Sequence, residues 1–184
     1  RELELELKII ADVGLIGYPN AGKSSLLTAV TNARPETAPY PFTTRHPQVG
    51  IVEFDDLYRF TMADIPGIIE GAHENRGLGF EFLRHIERTS ILVYVLDMAG
   101  TDGRTPWDDL DSLHEELREY NPELIERPSI IAANKMDEPN AEENLERLRE
   151  HTQLPVFPIC AILNEGCPEL LQALRQLKEE QKYN

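Results

Sequence analysis

The chain has 184 residues, 41% of them hydrophobic and 28% charged, proportions that build the core of one compact domain and leave little room for a second. Its 33 acidic against 18 basic side chains give a net charge of -15, which excludes a surface that grips nucleic acid or anionic lipid over its whole face. The longest apolar runs, such as Ile91 to Leu96, are too short to cross a bilayer, and two cysteines, Cys160 and Cys167, cannot make a disulfide framework, so the expected setting is soluble and reducing.

In chain order, Glu2 to Leu7 alternate Glu and Leu, so residues 1–10 suit a linker or an edge strand leading into a domain at 11–180. Strands are expected at Asp12 to Ile16, Gly50 to Phe54, Phe60 to Ile65, Ile91 to Met98, Ser129 to Asn134 and Val156 to Ile162, several of them continuous apolar runs covered on both faces. Helical spacing lies between them. It is carried by Leu26, Leu27 and Val30; by Phe82, Leu83 and Ile86; by Leu110, Leu113, Leu117 and Tyr120; by Ala141, Leu145 and Leu148; and by Leu170, Leu174 and Leu177. Trp107, after Thr105-Pro106, looks like an anchor at a helix start.

Such alternation predicts an α/β fold: a mostly parallel sheet of about six strands with helices on both faces, a three-layer sandwich. The exception is Gly50–Phe54 with Phe60–Ile65, joined by a turn too short for a crossover, which is expected to be an antiparallel hairpin. The Pro-rich stretch from Pro35 to Pro47 and the Gly-dotted stretch from Gly67 to Gly79 are the candidate loops. Charge is uneven: residues 1–90 carry 9 basic and 13 acidic side chains, and residues 91–184 carry 9 and 20. An anionic ligand therefore suits the first half better.

Gly17-Tyr18-Pro19-Asn20-Ala21-Gly22-Lys23-Ser24 has the spacing G-x-x-x-x-G-K-[ST], directly after an apolar strand and directly before a helical segment. Phosphates need converging backbone N–H donors, which glycines allow the chain to supply without side-chain collision, and the following helix adds its positive end. In that arrangement Lys23 neutralises the β and γ phosphates, Ser24 ligates Mg²⁺ and Ser25 donates to the α phosphate. Asp64-Ile65-Pro66-Gly67 then ends the hairpin strand as D-x-x-G, where the carboxylate can hold a Mg²⁺-bound water and the Gly67 N–H can reach a γ phosphate. Asn134-Lys135-Met136-Asp137 ends a later strand as N-K-x-D. A carboxylate there accepts two bonds from guanine that adenine cannot offer, and leaving it unpaired is how such a site rejects the analogue.

Together with the order of these motifs, the strings GYPNAGKSSLL, YPFTT, ADIPGIIEGAHENRGLGFEFLRHIER and NKMD resemble the Obg family of P-loop GTPases, from about Ala11 to about Leu177. The resemblance implies a P-loop NTPase fold, a GTP- and GDP-binding, GTP-hydrolysing switch, and Mg²⁺ as cofactor. It further implies that Thr44, in Tyr40-Pro41-Phe42-Thr43-Thr44, joins Ser24 on Mg²⁺ when the γ phosphate is present, with Phe42 and Thr43 also facing the nucleotide. Cys160-Ala161-Ile162 stands where the family usually has Ser-Ala, with the Ala161 N–H expected at the guanine O6; Cys160 departs from that pattern and also suits a buried small apolar position.

GTPases that orient water with a glutamine place it directly after D-x-x-G, where this chain has Ile68, so hydrolysis is expected to be slow. The resemblance offers Asn20 instead, as a holder of K⁺ beside the phosphates; an Asn that merely shapes the loop is the plainer alternative. The catalytic set is then Lys23, Thr44, Gly67 and Asn20. His46, His73, His85 and Arg76 are candidates by chemistry alone.

The implied partner is the large ribosomal subunit, or its assembly factors, met through the loops at about Arg34 to Gln48 and Gly67 to Gly79. The acidic face of Asp108, Asp109, Asp111, Glu115, Glu116 and Glu119 reads first as a solubilising surface. A monomer without a membrane span is expected, with a Gly-rich module preceding it in the family. Cys160 and the Thr105-Pro106-Trp107 stretch favour an organellar member, hence the mitochondrial matrix over the bacterial cytoplasm. The competing readings are a guanine-nucleotide or alarmone sensor acting by occupancy and a metabolic P-loop kinase, against which Asn134 to Asp137 speak.

Overall fold

The computed structural model describes residues 10–32, 34–37, 46–65 and 83–183. Among the described residues, seven strands form one sheet in the order β2-β3-β4-β1-β5-β6-β7, where β1 is Ala11–Ile16, β2 Glu36–Thr37, β3 Gln48–Glu53, β4 Arg59–Asp64, β5 Thr89–Asp97, β6 Ser129–Asn134 and β7 Val156–Pro158. Helices among the described residues include α1 Lys23–Val30, α2 Pro106–Tyr120, α3 Ala141–His151 and α4 Cys167–Gln181. Residues 83–87 are also helical.

The expected hairpin is present, β3 pairing antiparallel with β4 from Gln48↔Asp64 to Glu53↔Arg59, while β1, β4, β5, β6 and β7 run parallel. The seventh strand is β2, two residues inside the stretch expected to be loop, which pairs antiparallel with β3. Its two exposed polar side chains carry no apolar alternation, so nothing local announces it. The last strand is shorter than the expected Val156 to Ile162. After Pro158 the chain folds back, and Cys160 and Glu165 exchange both backbone hydrogen bonds, at 2.9 and 3.1 Å.

Alternation along β5 builds the layers. Leu92, Tyr94 and Leu96 pack with Leu110, Leu113 and Leu117 of α2 and Leu145 and Leu148 of α3, whereas Ile91, Val93 and Val95 pack with Leu26 and Leu27 of α1 and Leu170 and Leu174 of α4. Each helix shows the 3.6-residue apolar stripe read from the sequence. In α2 the stripe begins behind Pro106 in the first turn, and Trp107 packs against the core with the Arg147 guanidinium 4.1 Å from its ring centre. Asp109 leaves the predicted acidic face: it is buried and paired with Arg104 at 2.8 Å, because the first helical turn points it back under the loop that leads into α2. No described helix is long and apolar enough to cross a membrane.

Because β1 has parallel neighbours on both sides, crossovers leave it in both directions and a crevice opens at its C-terminal end. The C-terminal ends of β1, β4, β5 and β6 bring Ile16, Asp64, Asp97 and Asn134 to that one edge of the sheet.

Candidate functional site

A cleft of about 590 Å³ lies at this edge, lined by Tyr18, Pro19, Asn20, Gly22, Lys23, Ser24, Ser25, Asp64, Asn134, Lys135, Asp137, Cys160 and Ile162. Residues from four separate stretches of sequence therefore share one concavity.

Its first wall is the turn from β1 into α1. Gly22 has φ 102°, a left-handed conformation, and a Cβ there would stand 2.1 Å from Asn134 Nδ2. At Gly17 a Cβ would meet the Val95 carbonyl oxygen at 2.5 Å. Both glycines are therefore demanded by close backbone approach. No side chain caps α1 and no acidic residue stands in its first turn, so its N-terminal N–H groups and positive end remain available to an anion.

Lys23 reaches back across this turn. Its ammonium donates to the Gly17 carbonyl at 3.0 Å and the Ile65 carbonyl at 3.5 Å, and lies 3.8 Å from Asp64 Oδ1. Burial pushes its pKa below the ordinary lysine value, and Asp64 offsets part of that shift. Ser24 donates to Asp64 Oδ2 at 2.9 Å, which sets a hydroxyl and a carboxylate, hard oxygen ligands suited to Mg²⁺, side by side.

The second wall follows β6. Asn134 is 3% exposed; its Nδ2 donates to the Ala21 carbonyl at 2.9 Å and its Oδ1 accepts the Ala161 N–H at 3.0 Å. One side chain thus ties the phosphate-type loop to the turn after β7. Replacing Asn134 with Ala should cost about 2–4 kcal/mol of stability, since it strands a buried N–H and a buried carbonyl at once. Urea unfolding of Asn134→Ala would measure this, and a loss below about 1 kcal/mol would mean that the two walls hold together without it.

Beyond Asn134, Lys135 adopts φ 70° and Asp137 stands exposed at the cleft. The Cys160 thiol donates to Asp137 Oδ1 at 3.4 Å. Burial foremost pushes that thiol above its ordinary pKa, so at neutral pH it keeps the proton that it donates. Ile162 is 80% exposed at the same rim.

Most of the residues expected from the sequence thus meet: Tyr18 to Ser25 line or shape one wall, Asp64 and Ile65 reach Lys23, and Asn134, Lys135, Asp137 and Cys160 to Ile162 form the other end. Met136 packs against the core from the same turn, its N–H bonded to the Ile159 carbonyl at 3.2 Å. Phe42, Thr43, Thr44, Pro66, Gly67, Ile68, His73 and Arg76 lie outside the described residues. His85 is buried, and neither it nor His46 lines the cleft.

Two neighbours escaped the sequence reading. Arg104 places its guanidinium 3.8 Å from the centre of the Tyr18 ring while paired with Asp109, bracing the first wall from beneath. Asp97, at the end of β5, holds the Lys135 ammonium at 3.0 Å. A carboxylate at the C-terminal end of an apolar parallel strand was the available signal for Asp97; Arg104 stands in a loop with none.

This fold, with its glycine loop and lysine between the first strand and helix, is that of a P-loop GTPase. Solved structures agree on the architecture: the cytosolic domain of L. pneumophila FeoB superimposes with TM-score 0.66 and 25% identity over 90% of this chain and 67% of that one. An Aquifex aeolicus Era variant bound to GDP·AlF4⁻ gives TM-score 0.67 and 22% identity over 91% and 56%. The chain belongs to the 50S ribosome-binding GTPase family, whose model matches residues 12–135, and within it is a GTPase domain of the Obg type. The GTPase Obg of Geobacillus thermodenitrificans is 56% identical over 181 residues, 97% of this chain and 42% of that protein. The probable GTP-binding protein OBGM, mitochondrial, of Oryza sativa subsp. japonica is 56% identical over 182 residues, 96% of this chain and 34% of that one. The chain therefore spans about two fifths or less of the curated relatives it matches, which include bacterial and mitochondrial proteins.

Proposed function

We propose that this domain is a guanine-nucleotide switch that binds GTP with Mg²⁺, hydrolyses it slowly, and in its parent protein reports the state of the nucleotide to the large ribosomal subunit during assembly. The observation that carries the reading is the Asn134 bridge: the lysine-bearing loop and the Asp137 turn are parts of one cleft, joined by a single buried side chain. A phosphate chain at one end and a base at the other suit that arrangement.

In this reading the N–H groups between Gly17 and Ser25 cradle the phosphates and Lys23 exchanges its carbonyl partners for the β and γ oxygens. Ser24 would ligate Mg²⁺ directly, joined by Thr44 when a γ phosphate is present, and Asp64 would hold it through water. Mg²⁺ supplies neutralisation of charge on the phosphates. Asp137 would accept from guanine, and the Ala161 N–H, which Asn134 Oδ1 accepts at 3.0 Å, would have to be shared with or turned to the guanine O6. Gly67 would meet the γ phosphate, and loss of that phosphate would release the loops about Arg34 to Gln48 and Gly67 to Gly79.

Asn20 stands exposed at the cleft with φ 71°, and in this reading its side-chain oxygen would hold K⁺ where Ile68 cannot orient water. Steady-state phosphate release under multiple turnover tests both parts. At equal ionic strength, turnover in KCl should exceed that in NaCl by about ten-fold or more. Equal rates would remove Asn20 from the mechanism, and binding with no turnover in either salt would replace the switch with a sensor acting by occupancy. The ribosomal part is supported by the family's name, and co-sedimentation of the full-length parent with large subunits in a GTP-like but not a GDP state is its test.

A further inference from the structure

We propose that Asp97 is a positioning residue for guanine-nucleotide binding, tethering the Lys135 ammonium behind the cleft so that the lysine's methylene stem becomes a fixed wall for the base. This rests on the reading above, in which the Asn134 to Asp137 turn takes the base.

The sheet register creates the pair. Asp97 is the β5 residue opposite Asn134 of β6, and the two strand ends are locked by the Met98 N–H donating to the Asn134 carbonyl at 2.9 Å. The residue after Asn134 therefore leaves the sheet directly beside Asp97. Lys135 leaves it in a left-handed conformation, φ 70°, which costs a non-glycine residue free energy and must be held by its surroundings. The turn is held by the Met136 N–H on the Ile159 carbonyl at 3.2 Å and the Glu138 N–H on the Lys135 carbonyl at 3.1 Å, and the tip of the side chain is held as well: Nζ donates to Asp97 Oδ2 at 3.0 Å and to Thr101 Oγ1 at 3.5 Å. Asp97 Oδ1 in turn accepts the Ala99 N–H at 2.8 Å, so the carboxylate is itself fixed.

Lys135 lines the nucleotide cleft, whereas Asp97 and Thr101 line a small recess beside it. The ammonium thus faces away from the cleft and the methylenes are what Lys135 offers to it. A purine presents a flat apolar face, and a lysine stem already ordered accepts that face without spending further side-chain freedom on binding. With side-chain exposures of 12% and 24%, Asp97 and Lys135 are sheltered enough for the pair to be screened less than a surface one. Burial raises the Asp97 pKa, but hydrogen bonds from Thr101, Lys135 and the Ala99 N–H outweigh it and hold the carboxyl below its usual range.

The plain alternative is that Asp97 only shapes the turn through the Ala99 N–H. Binding of GDP and of inorganic pyrophosphate, the latter as a competitor of a fluorescent GDP, separates the two in Asp97→Ala, Asp97→Asn, Lys135→Ala and the double variant Asp97→Ala/Lys135→Ala. Asp97→Ala should weaken GDP about ten-fold while leaving pyrophosphate within about two-fold, and should add little once Lys135→Ala is present. Asp97→Asn, which keeps the shape and removes the charge, should fall between and carries the test should Asp97→Ala not fold. Equal losses for GDP and pyrophosphate, or full additivity with Lys135→Ala, would overturn the proposal. If Lys135→Ala weakens GDP but the Asp97 variants do not, Asp97 has no positioning role although the base reading stands. Should Lys135→Ala leave GDP affinity unchanged, the base contact itself falls.

Discussion

Lys23→Ala should abolish useful triphosphate binding, weakening GTP by about 100-fold or more. The ammonium is held at 3.0 Å from the Gly17 carbonyl and 3.8 Å from Asp64, over a turn whose other donors, backbone N–H groups and the Ser24 and Ser25 hydroxyls, are uncharged. A triphosphate brings several negative charges into that turn, and Lys23 is the cation that the turn itself supplies. Removing it leaves charge facing charge, since Asp64 stays in place with its Ser24 partner. Direct binding measured by calorimetry is the appropriate readout, because a loss of hydrolysis alone would not separate affinity from chemistry. Retained micromolar affinity would refute the phosphate cradle. Because burial already strains the charged form of Lys23, its alanine variant should not unfold the domain, and an unchanged urea midpoint would show that the loss belongs to the site.

Asp137→Asn should weaken guanine nucleotides by roughly 10²–10⁴-fold and shift preference toward xanthine, since two charge-assisted hydrogen bonds are lost and a donor is set against the guanine amine. An amide can instead donate to the carbonyl that xanthine carries in place of that amine. The Cys160 thiol sharpens the expectation: it occupies Asp137 Oδ1 at 3.4 Å and so helps to fix the carboxylate's orientation. Competition of GTP against xanthosine triphosphate measures the shift. Survival of guanine affinity would end the base-reading role of Asp137 while leaving the phosphate wall untouched.

Much of this site is legible in the chain because its chemistry is packed into short windows. Gly17 to Ser24 and Asn134 to Asp137 need only local backbone to present their groups, and their place after apolar strands could be read from runs such as Asp12 to Ile16. The strand–helix alternation that orders the layers is equally local. Helix positions are legible for the same reason: Leu110, Leu113 and Leu117 repeat at the helical period whatever they pack against. The local pattern misleads where a neighbour in space overrides it. Asp109 looks solvated by sequence yet is buried against Arg104, and Glu36–Thr37 carry no strand signal yet pair with β3.

What the sequence determined alone is the set of functional groups and their order, together with the alternation that makes a parallel sheet nearly unavoidable. Only the tertiary structure decided how those groups are held. Asn134 spans from Ala21 to Ala161, positions 113 and 27 residues away in the chain, and Asp97 meets Lys135 across 38. Such partners are chosen by strand order and register, which place the ends of β1, β5 and β6 side by side, and outside the β3–β4 hairpin, whose short turn forces adjacency, no spacing within the chain encodes which strand will be next to which.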